Sequence, residues 1–333
     1  MVEQVATHLR IWVSHGLVAV VGLVVGTACV ERAEIIARER PTAGGSGGAE
    51  SRGGAGGAVS SAAGTGGEDG VIDEVQRPRF LAPSAVAELN DPVAKDQDPT
   101  LTEDLCEILF FSDRGGNDDI WTARRDNPDD PWAPPTAVEE LNSSDREQSP
   151  AISRDGLRLW YHSSRDPAGI WQTSRATRED AWDEPVPLPI EDIEPAGVVV
   201  APTVDLLELR MAVSLGTGDS RDVYELVRPS WAGPWSDPAP VTGLNQEGAS
   251  DSAPFFIDEG RELLFFSGRT GLGDLYWAYR ETLAAPVTRV EALTELNAPD
   301  SFEAHPHLSV DRRVIYFGSN RTGNADIYRA AAR

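Results

Sequence analysis

The stretch EQSPAISRDGLRLWYHSSRDPAGIWQTSR, residues 147–175, decides the fold. An acid stands three residues before Pro150. A short apolar strand then leads into the turn pair Asp155-Gly156, where glycine supplies the left-handed conformation that a tight hairpin needs. LRLWYHS follows as a strongly apolar strand, then a turn carrying Arg165, then a third strand through Ile170 and Trp171. A run of short strands separated by turn residues, with no helical spacing between them, is an antiparallel unit of about four strands.

The unit repeats. Pro99, Pro150, Pro202, Pro254 and Pro306 are separated by 51, 52, 52 and 52 residues. Upstream of each stands Phe80, Trp132, Trp182, Trp235 or Val287. Four copies then have a proline (Pro83, Pro135, Pro185, Pro238), and an outer strand ends in Leu-Asn at Leu89-Asn90, Leu141-Asn142, Leu244-Asn245 and Leu296-Asn297. EILFFS, RELLFFS and RVIYFGS are the counterparts of LRLWYHS. A fixed period of this length marks a repeat architecture, and four strands per period without a helix make each repeat a propeller blade.

The first unit begins with the outer strand, residues 85–89, and the last stops after its third strand, residues 326–331. The chain ends therefore pair to complete the final blade and leave no open edge. The expected fold is all-β, a five-bladed β-propeller over residues 80–333. The third unit drifts from the pattern: Thr217 stands where the others have arginine, and Val199 where they have an acid.

The pattern P-x-[LIF]-[ST]-x-D-G-x-x-[LI]-x-[FY]-x-S-x-R-x-G-x-x-D-[IL]-[YW] resembles the PD40 repeats of TolB-like, WD40-like propellers. The W-x-x-P…LN element is similar to the version found in bacterial envelope proteins. The resemblance implies an envelope protein that binds or scaffolds; it says little about function, because one fold hosts many activities.

Residues 1–29 resemble a lipoprotein-type signal. Arg10 precedes the apolar run IWVSHGLVAVVGLVVGTAC, and Gly26-Thr27-Ala28-Cys29 resembles a lipobox whose cysteine, Cys29, would carry the lipid. An uncleaved membrane anchor is the alternative. Residues 30–79 are rich in Gly, Ser and Ala, bury almost nothing, and read as a disordered tether with a reach of roughly 35–40 Å. Export places the propeller at the bacterial cell envelope, on the outer membrane or its periplasmic face.

The 333 residues include 54 Asp and Glu against 29 Lys and Arg, for a formal charge of −25, and Lys95 is the one lysine. Such a surface repels phosphate backbones, which excludes nucleic acid as a partner. Cys29 and Cys106 are the two cysteines and form no zinc pattern with the five histidines. His305 and His307, two apart on a strand, are expected on one face and not as a ligand set. No metal or cofactor motif is present.

In an antiparallel blade, the loop entering the inner strand and the turn between the second and third strands share one face. Asp96, Glu147, Asp251 and Glu303 recur in the entering loops and are the candidate partner-binding residues, a negative ring at the channel mouth. The competing role is internal hydrogen bonding to a repeat arginine. Arg114, Arg165, Arg269 and Arg321, with Asp119, Asp222, Asp274 and Asp326, are read as structural braces of the repeat turn. No nucleophile elbow, phosphate loop or Ser/His/Asp set is apparent, so no catalytic residue is assigned. The expected function is a non-catalytic, monomeric scaffold for an envelope protein or cell-wall polymer. The alternative is a carbohydrate-active, glycosidase-like propeller with central carboxylates.

Overall fold

The computed structural model describes residues 75–333, apart from 191–197 and 218–219. Cys29, the signal segment and most of the tether lie outside the described residues. Five four-stranded antiparallel sheets form the five blades of a propeller. Blade 1 runs β2 (Asp96–Leu101), β3 (Glu107–Ser112), β4 (Asp119–Arg124) and β5 (Thr136–Ala137). Blade 2 runs β6 (Glu147–Ile152), β7 (Arg158–Ser163), β8 (Gly169–Ser174) and β9 (Val186–Pro187). Blade 3 is β10 (Val198–Val204), β11 (Arg210–Thr217), β12 (Ser220–Val227) and β13 (Ala239–Pro240). Blade 4 is β14 (Asp251–Ile257), β15 (Glu262–Ser267), β16 (Asp274–Tyr279) and β17 (Arg289–Ala292).

Blade 5 closes the ring. β18 (Glu303–Leu308), β19 (Val314–Ser319) and β20 (Asp326–Ala331) are joined by β1 (Ser84–Ala85), with Ser84 opposite Arg329 and Ala85 opposite Tyr328. The expected closure is therefore present, though the paired strand is shorter than residues 85–89. After Val86, whose N–H donates to Ile327 O, the chain turns, and Leu89 N–H bonds back to Val86 O. Residues 75–79, assigned to the tether, also dock on the ring. Val75 packs on the last seam, and Arg77 makes a two-pronged bond to Glu295 at 2.8 and 3.0 Å.

Apolar residues concentrate in the seams between blades. The seam between blades 4 and 5, for example, buries Phe80, Leu264, Trp277, Leu296, Ile315 and Phe317. Each inner strand carries one irregularity at the residue before its proline. Asp98, Ser149, Ala201, Ala253 and His305 have φ between 49 and 57°, and the strand register shifts there. Proline has no N–H to offer the ladder, so the bulge sits where it costs no hydrogen bond.

The bulge corrects the expectation for His305 and His307. Their side chains do not share surroundings: His305 Nε2 lies 3.1 Å from Asp98 Oδ1, whereas His307 packs on Phe255 with ring centroids 4.7 Å apart. Among the described residues no group of three or more His, Cys, Asp or Glu could hold a metal ion, and no helix is long and apolar enough to cross a membrane.

Candidate functional site

Asp96, Glu147, Asp251 and Glu303 open the four inner strands β2, β6, β14 and β18. Each is completely buried. Their ion pairs are to Arg114 (2.5 Å), Arg165 (3.0 Å), Arg269 (2.9 Å) and Arg321 (3.1 Å). Each acid's second oxygen accepts a backbone N–H four or five residues upstream, from Asp91, Ser143, Gln246 or Ala298. Each arginine also donates Nε–H to the serine that ends the second strand: Ser112, Ser163, Ser267 or Ser319. Two aromatic rings flank each guanidinium, such as Phe265 at 5.2 Å and Tyr276 at 4.9 Å around Arg269. Burial also pushes the Asp96 carboxyl up from its ordinary range, against the pull of its hydrogen bonds.

This geometry corrects the expected negative ring. A carboxylate with no exposed surface and a guanidinium partner presents no charge to an incoming molecule. The arginines, in turn, brace the entering loop rather than the hairpin turn they sit in. Asp274 and Asp326 bond instead to Thr270 and Thr322. Burial and the neighbouring Glu147 raise the carboxyl of half-buried Asp119, and burial and Asp251 raise that of Asp222.

A second arginine set escaped the sequence reading. Arg125, Arg175, Arg228 and Arg280 follow the third strands and donate Nε–H to the backbone of the opposite turn. The first three stack on Trp132, Trp182 and Trp235 at 4.1, 4.2 and 4.4 Å. The signal was available: each arginine precedes the unit's Trp or Val by seven residues. Arg175 and Arg280 also cross the seam to Glu107 and Glu225 of the neighbouring blade, both at 2.6 Å.

Where the inner strands meet, three residues unassigned from sequence come together. Ser149 Oγ donates to Asp98 Oδ2 at 2.8 Å, and His305 approaches the other oxygen of the same carboxylate. A Ser, a His and an Asp thus converge after all, but with Asp98 in the middle. The imidazole does not stand between serine and acid, as a proton relay from a serine nucleophile requires. Burial raises the Asp98 carboxyl and lowers the His305 imidazole from their ordinary values. The sequence hid this trio because its members are the variable residue before each repeat proline.

Blade 3 departs from the pattern as a set. Val199, Leu215 and Thr217 replace acid, serine and arginine, and Val199 and Leu215 join the apolar seam with blade 2. At the opposite end of this blade Leu206, Leu207, Val227 and Trp231 are 44, 61, 43 and 60 % exposed. Leu207 stands where other blades have Asp104, Asp155 and Asp311, each of which accepts a hydrogen bond within its turn. Asp205 takes over that task, accepting the N–H groups of Leu209 and Arg210. Trp231 is held from beneath, its Nε1–H donating to Glu208 at 3.2 Å, and Glu208 also binds Arg158 of blade 2.

No protein-family model matches the chain, and no curated protein matches it by sequence. Among solved structures, an endo-arabinase from Bacteroides thetaiotaomicron is 14 % identical with a TM-score of 0.54, over 76 % of this chain and 96 % of that one. A protein of unknown function from Dyadobacter fermentans is 13 % identical with a TM-score of 0.51, over 77 and 99 %. TolB from Acinetobacter baumannii is 12 % identical with a TM-score of 0.45 over 71 % of this chain, which spans 54 % of that protein's length. At these identities the first two likenesses establish the fold alone. The first also corrects the expectation that the chain is no enzyme: the architecture is shared with an arabinase, so fold gives no ground for excluding catalysis.

Proposed function

We propose that the chain is an exported propeller, held at the bacterial envelope through Cys29 and its tether, that docks an envelope protein on its third blade. The observation that carries this reading is the exposed patch of Leu206, Leu207, Val227 and Trp231. Four large apolar side chains at one end of one blade are more than scattered surface hydrophobes, and such a patch marks an interaction surface. The turn beneath them keeps its hydrogen bonds by moving the acid from position 207 to position 205, so the leucines replaced charge without loss of the local fold. Trp231 is oriented by Glu208 and is the type of rigid anchor that dominates protein interfaces. Two adjacent leucines favour an apolar protein surface over a glycan, which stacks on the tryptophan but gains little from the aliphatic pair.

A photo-cross-linking residue at Leu207, introduced in the native host, tests this. A discrete protein adduct is expected from Leu207, absent when the same residue replaces exposed Leu272 on blade 4, and lost in Trp231→Ala. Equal adducts at both positions would sink the docking surface, and an adduct that dissolves on cell-wall digestion would assign the patch to a polymer.

A further inference from the structure

The seam between blades 3 and 4 contains a cleft of about 270 Å³. Val227 of the exposed patch and the exposed Leu283 of blade 4 both line it. Its walls are apolar, with Pro240 and Val241 from blade 3 facing Ala285 and Pro286 from blade 4. Its buried side is polar: Glu225 pairs with Arg210 at 2.7 Å and with Arg280 at 2.6 Å.

The seam between blades 1 and 2 has a smaller counterpart, about 140 Å³, lined by Arg175, Asp180 and Trp182. The same positions in blade 4 are Arg280, Ala285 and Val287. Arg280 belongs to the set that includes Arg125, Arg175 and Arg228, each of which stacks on a tryptophan ring. Val287 stands where those tryptophans stand, and among the described residues no ring lies over Arg280. The loop keeps its form nevertheless. Ala285 N–H donates to Thr282 O at 3.1 Å, as Asp180 N–H does to Thr177 O at 3.2 Å. Blade 4 has lost the ring and the acid and kept the loop.

The next seam shows what chemistry suits this space. Trp277 and Tyr279 of blade 4 stand where blade 3 has Glu225 and Val227. Their rings stack with centroids 6.0 Å apart, and Trp277 is fully buried. One seam thus holds aromatic rings of its own, and the cleft beside the apolar patch lacks them.

We propose that the cleft receives one aromatic side chain of the protein that docks on blade 3, its ring over Arg280 as Trp182 lies over Arg175. The proposal rests on that docking and identifies its anchor. A cavity of about 150 Å³ with apolar walls admits benzene, so 270 Å³ admits a phenol or an indole. A ring over a shielded guanidinium gains a cation–π attraction that an aliphatic side chain does not. Among the described residues the Arg210 guanidinium bonds to Glu225 alone. Its remaining N–H groups are donors for a carbonyl oxygen of the incoming backbone.

NMR titration of the full chain with N-acetyltryptophan amide and N-acetylleucine amide, read at the Val227 and Leu283 methyl groups, tests the cleft by itself. Saturable shifts are expected with the first, and at least fivefold weaker binding with the second. Val287→Trp, which restores the ring of blades 1–3, should abolish the shifts and melt no lower than the wild type. Ala285→Asp, which copies blade 2 in a loop of the same form, should weaken binding at least tenfold without loss of stability. It carries the test should Val287→Trp fail to fold. In the native host both variants should remove most of the Leu207 adduct. An adduct unchanged in both would overturn the cleft as the partner's seat and leave the patch standing. Tryptophan binding with no adduct in the wild type would keep the cleft and sink the docking surface. No saturable shift, or equal binding of the leucine amide, would overturn the aromatic site whatever the adduct does.

Discussion

Blade 3 and its neighbours set up a comparison at the level of single residues. Blades 1, 2, 4 and 5 use an acid, a serine and an arginine at their channel end; blade 3 uses Val199, Leu215 and Thr217. Both solutions fold, because a buried ion pair with full hydrogen bonding and a packed apolar set of similar volume differ little in stability. Breaking half of a pair is another matter. Asp251→Val would leave Arg269, only 13 % exposed, without its carboxylate, at a cost of about 3–5 kcal/mol. The triple change Asp251→Val, Ser267→Leu, Arg269→Thr, which copies blade 3, should cost less than the single one. Urea unfolding of the two variants checks this; a triple variant less stable than the single would mean that blade 3 owes its stability to something else.

Histidine burial gives a pH dependence whose sign can be worked out. Burial, assisted by Arg221, lowers His162 to about 4 from an ordinary 6.5. Burial, with Arg154, lowers His307 to about 3. Below pH 6.5 the unfolded chain takes up protons that the folded chain refuses, so the stability these groups contribute is complete above that pH and is lost on descent toward 4 and 3. His162→Phe, the residue used by blades 1 and 4, removes one of these contributions. Between about pH 7.5 and 4.5 the wild type should lose about 2–3 kcal/mol more than the variant. Parallel pH profiles from denaturant melts would show that His162 is not held neutral by the fold.

At the scale of the element, legibility followed from periodicity. A strand must place apolar residues on its seam-facing sides, and a hairpin must have turn residues, so LRLWYHS and Asp155-Gly156 announce themselves. The Leu-Asn signature proves equally physical. Asn90, Asn142, Asn245 and Asn297 each donate to and accept from one residue of a neighbouring third strand, as Asn142 does with Ile120, and so continue the sheet with a side chain. The acid-arginine pairing was half legible. Recurrence pointed to a structural role, but burial decides between a ring of charge and a buried brace, and burial is a property of the assembled ring. His305, Asp98 and Ser149 lie more than 150 residues apart at their extremes and differ in type at one repeat position. Periodicity marks what blades share, and a site made of what they do not share is invisible to it.

For the whole molecule, stability rests on closing the ring. Four seams join consecutive blades along the chain, whereas the fifth packs Val86, Leu89, Leu101 and Ile108 against Tyr316 and Ile327, and within blade 5 the N-terminal segment pairs with the last strand. Residues before Asp91 contribute fully buried Phe80 and Leu89, nearly buried Val86, the β1 pairing and the Arg77–Glu295 ion pair. At about 1.5–3 kcal/mol for each large apolar side chain, the three hydrophobes amount to about 5–9 kcal/mol, comparable to the net stability of a whole domain. A chain starting at Asp91 should therefore melt far below the full-length protein or fail to fold. One starting at Val75 should melt with it, since every described contact remains. A chain starting at Phe80 separates the two contributions: it keeps the strand and the aromatic anchor but lacks Arg77, whose ion pair is largely shielded from water, and should show a small decrease. Scanning calorimetry orders the three. If the Asp91 start melts with the Val75 start, the last blade is stable with three strands, and the ends of the chain are adjacent without holding the ring together.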